Sequence, residues 1–303
     1  MLRPDAAPSA RPRRDSRGPE YHFPMGARED VLITAEELAR LLDAGEPVTL
    51  LDIRWELSQP DGTAAYRRGH LPGAVYVSLD DELTDHSVTG RGRHPLPSGP
   101  DLQDAARRWG VRTGVPVVVY DDWNRAGSAR AWWVLTAAGI PGVRILDGGL
   151  SAWRGELHTG TVTPERGDVT VAHPDLHAAA RRTVGADGVA SAEVLLDARA
   201  PERYRGEAEP VDPVAGHIPG ALNVPSTRLL AEDGTWRSDP ELTGLFDEHG
   251  VRAGTDVAVY CGSGVTAAVT IAALAAIGVD AALFPGSWSQ WSADPNRPVA
   301  RGM

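Results

Sequence analysis

Residues 256–277 read DVAVYCGSGVTAAVTIAALAAI. The short apolar run ending at Tyr260 suits a strand buried on both faces, and 265–277 is a nearly unbroken series of small apolar residues long enough for a buried helix. Between them lie Cys261, Gly262, Ser263 and Gly264. A strand that passes into a helix through such a loop is the unit of a parallel α/β sheet, and the loop at the strand's carboxyl end is where these sheets hold ligands.

Outward from this stretch, one order of motifs occurs twice. LLDIR (50–54), GHLPGAVYV (69–77), VVVYDD (117–122) and LDGGLSAW (146–153) correspond to LLDAR (195–199), GHIPGALNVP (216–225), VAVYCG (257–262) and FPGSWSQW (284–291). Self-similarity with the order kept indicates two copies of one domain. Each copy alternates apolar β-branched runs (48–53, 117–120 and 143–146 in the first) with helical patterns, here following Leu102 and Ser128. That alternation predicts a parallel sheet flanked by helices. Thr34 with Glu37 three residues on predicts a capping box for a helix ending near Gly45. Residues 156–183, which include Gly160, Pro164, Gly167 and Pro174, lose the regularity and read as a linker between domains at 31–155 and 184–303.

The 303 residues carry a net charge of −11 and a pI near 5.3. Nucleic acid and anionic membranes need a basic face, so neither is expected as a partner. No stretch reaches the ~18 unbroken apolar residues of a membrane span. A single cysteine cannot form an internal disulfide, no Cys/His cluster has the spacing of metal ligands, and no bound cofactor is implied. A lone thiol suits a reducing compartment. Residues 1–30 are rich in Pro, Ala and Arg without an apolar stretch, which predicts a disordered tail and a cytoplasmic protein.

Cys261 falls where a strand's carboxyl edge faces a helix amino end. Gly262 and Gly264 allow backbone N–H groups to turn inward as an anion cradle, and the helix terminus adds partial positive charge; both favour thiolate over thiol. The alternative is a small buried apolar residue, as most free cysteines are. Cysteine phosphatases use a similar loop closed by an arginine that grips phosphate. Here that position is Ala267, and no residue of 262–268 is cationic. The loop suits one further large atom carried on sulfur better than it suits phosphate.

LLDAR, the RY pair at 203–204, GHIPGA, CGSGVTA (261–267) and GSWSQW (286–291) resemble the tandem rhodanese family, the thiosulfate and 3-mercaptopyruvate sulfurtransferases, across residues 31–299. The resemblance implies an α/β chain of two tandem rhodanese-like domains. The second would be catalytic, and the first, with Asp121 where the second has Cys261, would wall the cleft. It implies that Cys261 carries sulfur as a persulfide from a small-molecule donor to cyanide, a thiol or reduced thioredoxin. Gly262, Gly264, Val265 and Thr266 would line the donor site, and Arg203 matches the arginine that binds the donor's anionic group. The family's second arginine, in an EPR sequence, is absent from Glu209-Pro210-Val211. Family proposals for proton transfer use a histidine, an aspartate and the loop serine, by position His70, Asp61 and Ser263. Thiosulfate-type members tend to carry cations after the cysteine, so the uncharged loop favours 3-mercaptopyruvate.

Arg199 and His217 are duplicated as Arg54 and His70, which points to roles in folding. The same reading extends to His70 itself, beside the proton-transfer role. Trp132, Trp133, Trp153, Trp288 and Trp291 are expected in the core or at interfaces. Two rivals stand beside the sulfurtransferase: a non-catalytic sulfur carrier or redox-sensing module, and a cysteine phosphatase or arsenate reductase.

Overall fold

The computed structural model describes residues 28–302, so nearly all of the tail expected at 1–30 lies outside the described residues. Each β-branched run becomes a strand. β1 (Leu32–Ile33), β2 (Thr49–Asp52), β3 (Val75–Tyr76), β4 (Val117–Tyr120) and β5 (Val143–Leu146) form a parallel sheet in the order β1-β5-β4-β2-β3. β6 (Val194–Asp197), β7 (Leu222–Asn223), β8 (Val257–Tyr260) and β9 (Ala281–Leu283) form a second, in the order β7-β6-β8-β9. The second sheet repeats the first except at its outer edge. There Thr183 alone pairs with Leu283, where β1 pairs with β5 in the first sheet.

The helices differ from expectation in instructive ways. In the Ala35–Asp43 helix the Thr34 hydroxyl accepts from the Glu37 amide at 3.1 Å, but the Glu37 carboxylate takes Arg144 at 2.7 Å. An ion pair to the neighbouring strand thus replaces the second arm of the capping box. The Gly99–Arg108 helix begins ahead of Leu102 because Ser98 caps it and Pro100 fits its first turn. Trp132, Trp133 and Trp288 are fully buried, whereas Trp153 is only partly so.

The duplicated polar residues build the same support under each sheet. Arg54 bonds the Asp52 carboxylate at 3.0 Å, and Arg199 bonds that of Asp197 at 2.6 Å. His70 Nδ1 donates to the Tyr66 carbonyl at 3.0 Å and His217 Nδ1 to that of Tyr204 at 2.8 Å, each imidazole stacked on the tyrosine ring. The hydroxyls of Tyr120 and Tyr260 accept from the amides of Leu71 and Ile218, both at 3.1 Å. These groups tie the GHxPGA turn of each half to its central strands.

Between the halves, the Ala126–Ala137 and Ala267–Ala276 helices are buried along nearly their whole length and pack against each other. Alanine is the best helix former and lets backbones approach closely, so two such helices suit a seam. One hydrophobic cluster runs through both domains.

Asp197 is fully buried and takes both Nε and Nη2 of Arg199, which also donates to the Gly216 carbonyl at 2.7 Å. Asp197→Ala strips this buried guanidinium of its nearest carboxylate. The expected cost is about 3–5 kcal/mol of folding stability, read as a lower urea midpoint than that of the wild-type chain.

Candidate active site

β8 ends at Tyr260, and Cys261 follows at the carboxyl edge of the sheet, 1% exposed. Its amide donates to Ser287 Oγ at 3.1 Å. The carbonyls of Cys261 and Gly262 accept from the amides of Trp288 (3.0 Å) and Ser289 (2.9 Å), so the GSWSQW motif clamps the loop. Gly264 donates its N–H to Cys261 Sγ at 3.2 Å. Its φ of +78° and the Pro285 carbonyl, 2.4 Å from where a Cβ would stand, leave room for glycine alone.

The corresponding loop of the first domain shows what this geometry holds. The Asp121 carboxylate accepts from the amides of Trp123, Arg125 and Ser128 and from Ser128 Oγ, with Arg125 beside it at 3.3 Å. The strand-to-helix loop is thus an anion cradle, filled there by its own side chain.

Gly262 turns its bare face toward two guanidiniums. A Cβ at that position would lie 3.2 Å from Arg93 Nη2 and 3.4 Å from Arg203 Nη1. Arg203 binds Glu209 at 2.6 Å and Asp212 at 3.2 Å, while Arg93, from the first domain, pairs with Asp212 and donates its amide to Ser289 Oγ. Burial opposes ionisation of Glu209, but the Arg203 and backbone hydrogen bonds outweigh it and hold the carboxyl below its usual range. Burial pushes Asp212 up, against the pull of Arg93. Val211, where the EPR arginine was missed, is exposed.

Ser263 Oγ lies 2.7 Å from His94 Nδ1, and His94 Nε2 lies 3.3 Å from Asp80 Oδ1, which also accepts from Trp55 Nε1 at 3.1 Å. The tautomer with its proton on Nε2 satisfies both contacts, leaving Nδ1 to accept from the serine. Burial lowers the pKa of His94 from its ordinary value, while the hydrogen bond from His94 holds Asp80 below the usual carboxylate range.

The structure does not bring His70 or Asp61 into hydrogen-bond contact with Ser263. His70 is fully buried in the first domain, committed to Tyr66 as its duplicate His217 is to Tyr204. Asp61 is exposed, and its carboxylate accepts from the Thr63 amide at 2.9 Å as part of a turn. Neither has a hydrogen bond or ion pair to the second domain among the described residues. Gly262, Ser263, Gly264 and Val265 are buried in the loop with Cys261, and Thr266 is half-buried at the helix entry. His94, Asp80, Arg93 and Asp212 escaped the sequence reading. One signal was available: unlike His70, His94 in RGRHP belongs to no duplicated motif.

A Mycobacterium tuberculosis protein, provisionally described as thiosulfate sulfurtransferase SseB, is 64% identical over 92% of this chain and 99% of its own length. The 3-mercaptopyruvate sulfurtransferase of Escherichia coli is 36% identical over 88% of this chain and 96% of its own. The crystal structure of SseA from Escherichia coli, described as a 3-mercaptopyruvate sulfotransferase of rhodanese fold, superposes with a TM-score of 0.73 at 34% identity, covering 85% of this chain and 98% of that one. The Rhodanese-like domain matches twice, over residues 34–156 and 180–294. With both matches falling on the two sheets and the second enclosing Cys261, the chain belongs to the rhodanese-like family, of which it carries two tandem copies.

Proposed function

We propose that this chain is a sulfurtransferase that moves sulfur from 3-mercaptopyruvate, or from thiosulfate, to a thiol or cyanide through a persulfide on Cys261. The observation that carries the reading is the meeting, at one cradle-shaped loop, of the only thiol with the Ser263–His94–Asp80 chain of hydrogen bonds. The names of the relatives support the reaction class.

The chemistry balances as follows. The Cys261 thiolate attacks the sulfur of 3-mercaptopyruvate, an S–S bond forms, and the C–S bond breaks with its electron pair left on carbon as the pyruvate enolate. The proton of the donor thiol must reach that carbon. As the S–S bond forms, that proton passes through the Ser263 hydroxyl to neutral His94, whose charge Asp80 then offsets, and returns through Ser263 to the carbon. Pyruvate leaves, and the persulfide anion stays in the cradle. Thiosulfate needs no such proton, since sulfite departs as a stable anion. Arg203, with Arg93 beside it, binds the donor's anionic group. In the second half-reaction a thiol, cyanide or reduced thioredoxin attacks the outer sulfur and restores the thiolate. The lone cysteine and acidic charge support a cytoplasmic setting with small-molecule or protein acceptors and without nucleic acid. No helix among the described residues is long and apolar enough to cross a membrane.

Initial rates of sulfur transfer to cyanide from each donor, for wild type and Cys261→Ser, test the proposal. Wild type should turn over with parallel double-reciprocal lines, and Cys261→Ser should not turn over at all. A serine variant as active as wild type sinks the mechanism, and wild type that loads one sulfur and stops is a carrier.

His94 provides a second test. His94→Gln should lower kcat with 3-mercaptopyruvate by about 10²–10⁴-fold. Because burial lowers the His94 pKa, the neutral acceptor form persists below the ordinary histidine value of 6.5. The wild-type rate with 3-mercaptopyruvate should therefore fall on the acid side only below that pH, and this limb should be missing from the residual rate of His94→Gln. A wild-type limb centred above 6.5 would assign the titration to another group.

A further inference from the structure

Arg130 lies in the first turns of the Ala126–Ala137 helix, in the non-catalytic domain, and is fully buried. Its Nη1 donates to the Gly264 carbonyl at 3.3 Å, and its Nη2 to the carbonyls of Leu83 at 3.1 Å, His94 at 3.0 Å and Pro95 at 3.5 Å. Among the described residues no carboxylate lies within ion-pair distance of it. Burial lowers its pKa from the ordinary arginine value to about 10, the nearby Cys261 pulling the other way, so the side chain stays charged at neutral pH. A buried cation held only by carbonyls is costly, and an apolar residue would fill the seam without that desolvation.

Two of these carbonyls say what the group does. Gly264 adjoins Ser263 and gives its amide to Cys261 Sγ. His94 is the residue that Ser263 reaches from the other domain. One rigid guanidinium therefore holds the backbone on both sides of the Ser263–His94 hydrogen bond. We infer that Arg130 is a positioning residue for the proton route: by gripping the Gly264 and His94 carbonyls together, it sets the separation across which Ser263 and His94 exchange a proton. The inference rests on the sulfurtransferase reading and on its proton step. A planar fork with five donors in fixed directions suits this task, whereas the ammonium of lysine is a single point on a flexible stem.

An interdomain strut with no bearing on proton transfer would affect both donors alike. Arg130 as positioning residue predicts a donor-selective loss, because 3-mercaptopyruvate needs the proton and thiosulfate does not. The test measures kcat and KM for each donor, with cyanide as acceptor, in wild type, Arg130→Met, Arg130→Lys, His94→Gln and the Arg130→Met/His94→Gln double variant. The ratio of the 3-mercaptopyruvate kcat to the thiosulfate kcat should fall by about tenfold to a hundredfold in Arg130→Met, as expected of a misplacement on the order of 1 Å. In the His94→Gln background the same substitution should change that ratio by less than about threefold, since both variants break one route.

Equal losses with both donors, or full additivity in the double variant, overturn the role of Arg130 while leaving the proton route standing. His94→Gln with a wild-type ratio removes the route itself and the inference with it. Arg130→Lys keeps the charge in the seam, so it decides the matter if the methionine variant does not fold. Its ratio should fall by about tenfold through loss of the fork, and a wild-type ratio in that variant overturns the proposal.

Discussion

The seam between the Ala126–Ala137 and Ala267–Ala276 helices is the contact on which the rest of the molecule depends. Each helix begins immediately after a cradle loop, one holding the Asp121 carboxylate and the other Cys261. Close-packed apolar interiors resist small displacements, so fixing the seam fixes the two loops relative to each other. Burial of apolar surface supplies the attraction but no direction. Direction comes from a few polar contacts laid across the seam: Ser263 with His94, Arg130 with Gly264, Arg93 with Asp212 and Ser289. A hydrogen bond of 2.7 Å between residues of different domains can persist only on such a rigid base.

Much of the architecture was legible in the sequence because it is written twice. The strands at 117–120 and 143–146 and the strand-loop-helix at Cys261 stand where the motifs placed them, and the duplicated Arg54 and Arg199 each pair with a buried aspartate under their sheet. Duplication also separates folding from function. Residues present in both halves (Asp52 and Asp197, His70 and His217, Tyr120 and Tyr260) perform the same structural task in each. A residue without a counterpart is released from that task. Cys261 meets this criterion against Asp121, and His94 meets it as well, whereas assigning the proton acceptor to a place in a shared motif led to His70.

What escaped the sequence is what depends on distant segments meeting. Ser263, Gly262 and Asp212 each meet His94 or Arg93 of the other domain, and no local periodicity encodes such contacts. Asp80 is one of two adjacent aspartates in LDDE, and only the fold selects the one that faces Trp55 and His94. The capping box at Thr34 erred for the same reason: Glu37 met a cation on a strand more than a hundred residues away, and a charge-assisted bond there displaced a weaker local one.

The mouth of the site adds to what the uncharged loop implies about the donor. Arg93 and Arg203 converge beside Gly262, yet both are already engaged by Glu209 and Asp212. A donor must therefore exchange with a carboxylate, not fill an empty cation. Asp212 bridges the two arginines, while Glu209 binds Arg203 and accepts from the backbone amides of Val211 and Asp212. The carboxylate of an α-keto acid can replace another on a guanidinium fork with two parallel hydrogen bonds kept. A tetrahedral sulfonate directs its oxygens elsewhere and brings a second negative charge toward Glu209, with no cation in the loop to offset it. On the proposed reaction, this exchange suits a planar monoanion such as the 3-mercaptopyruvate carboxylate better than a sulfonate.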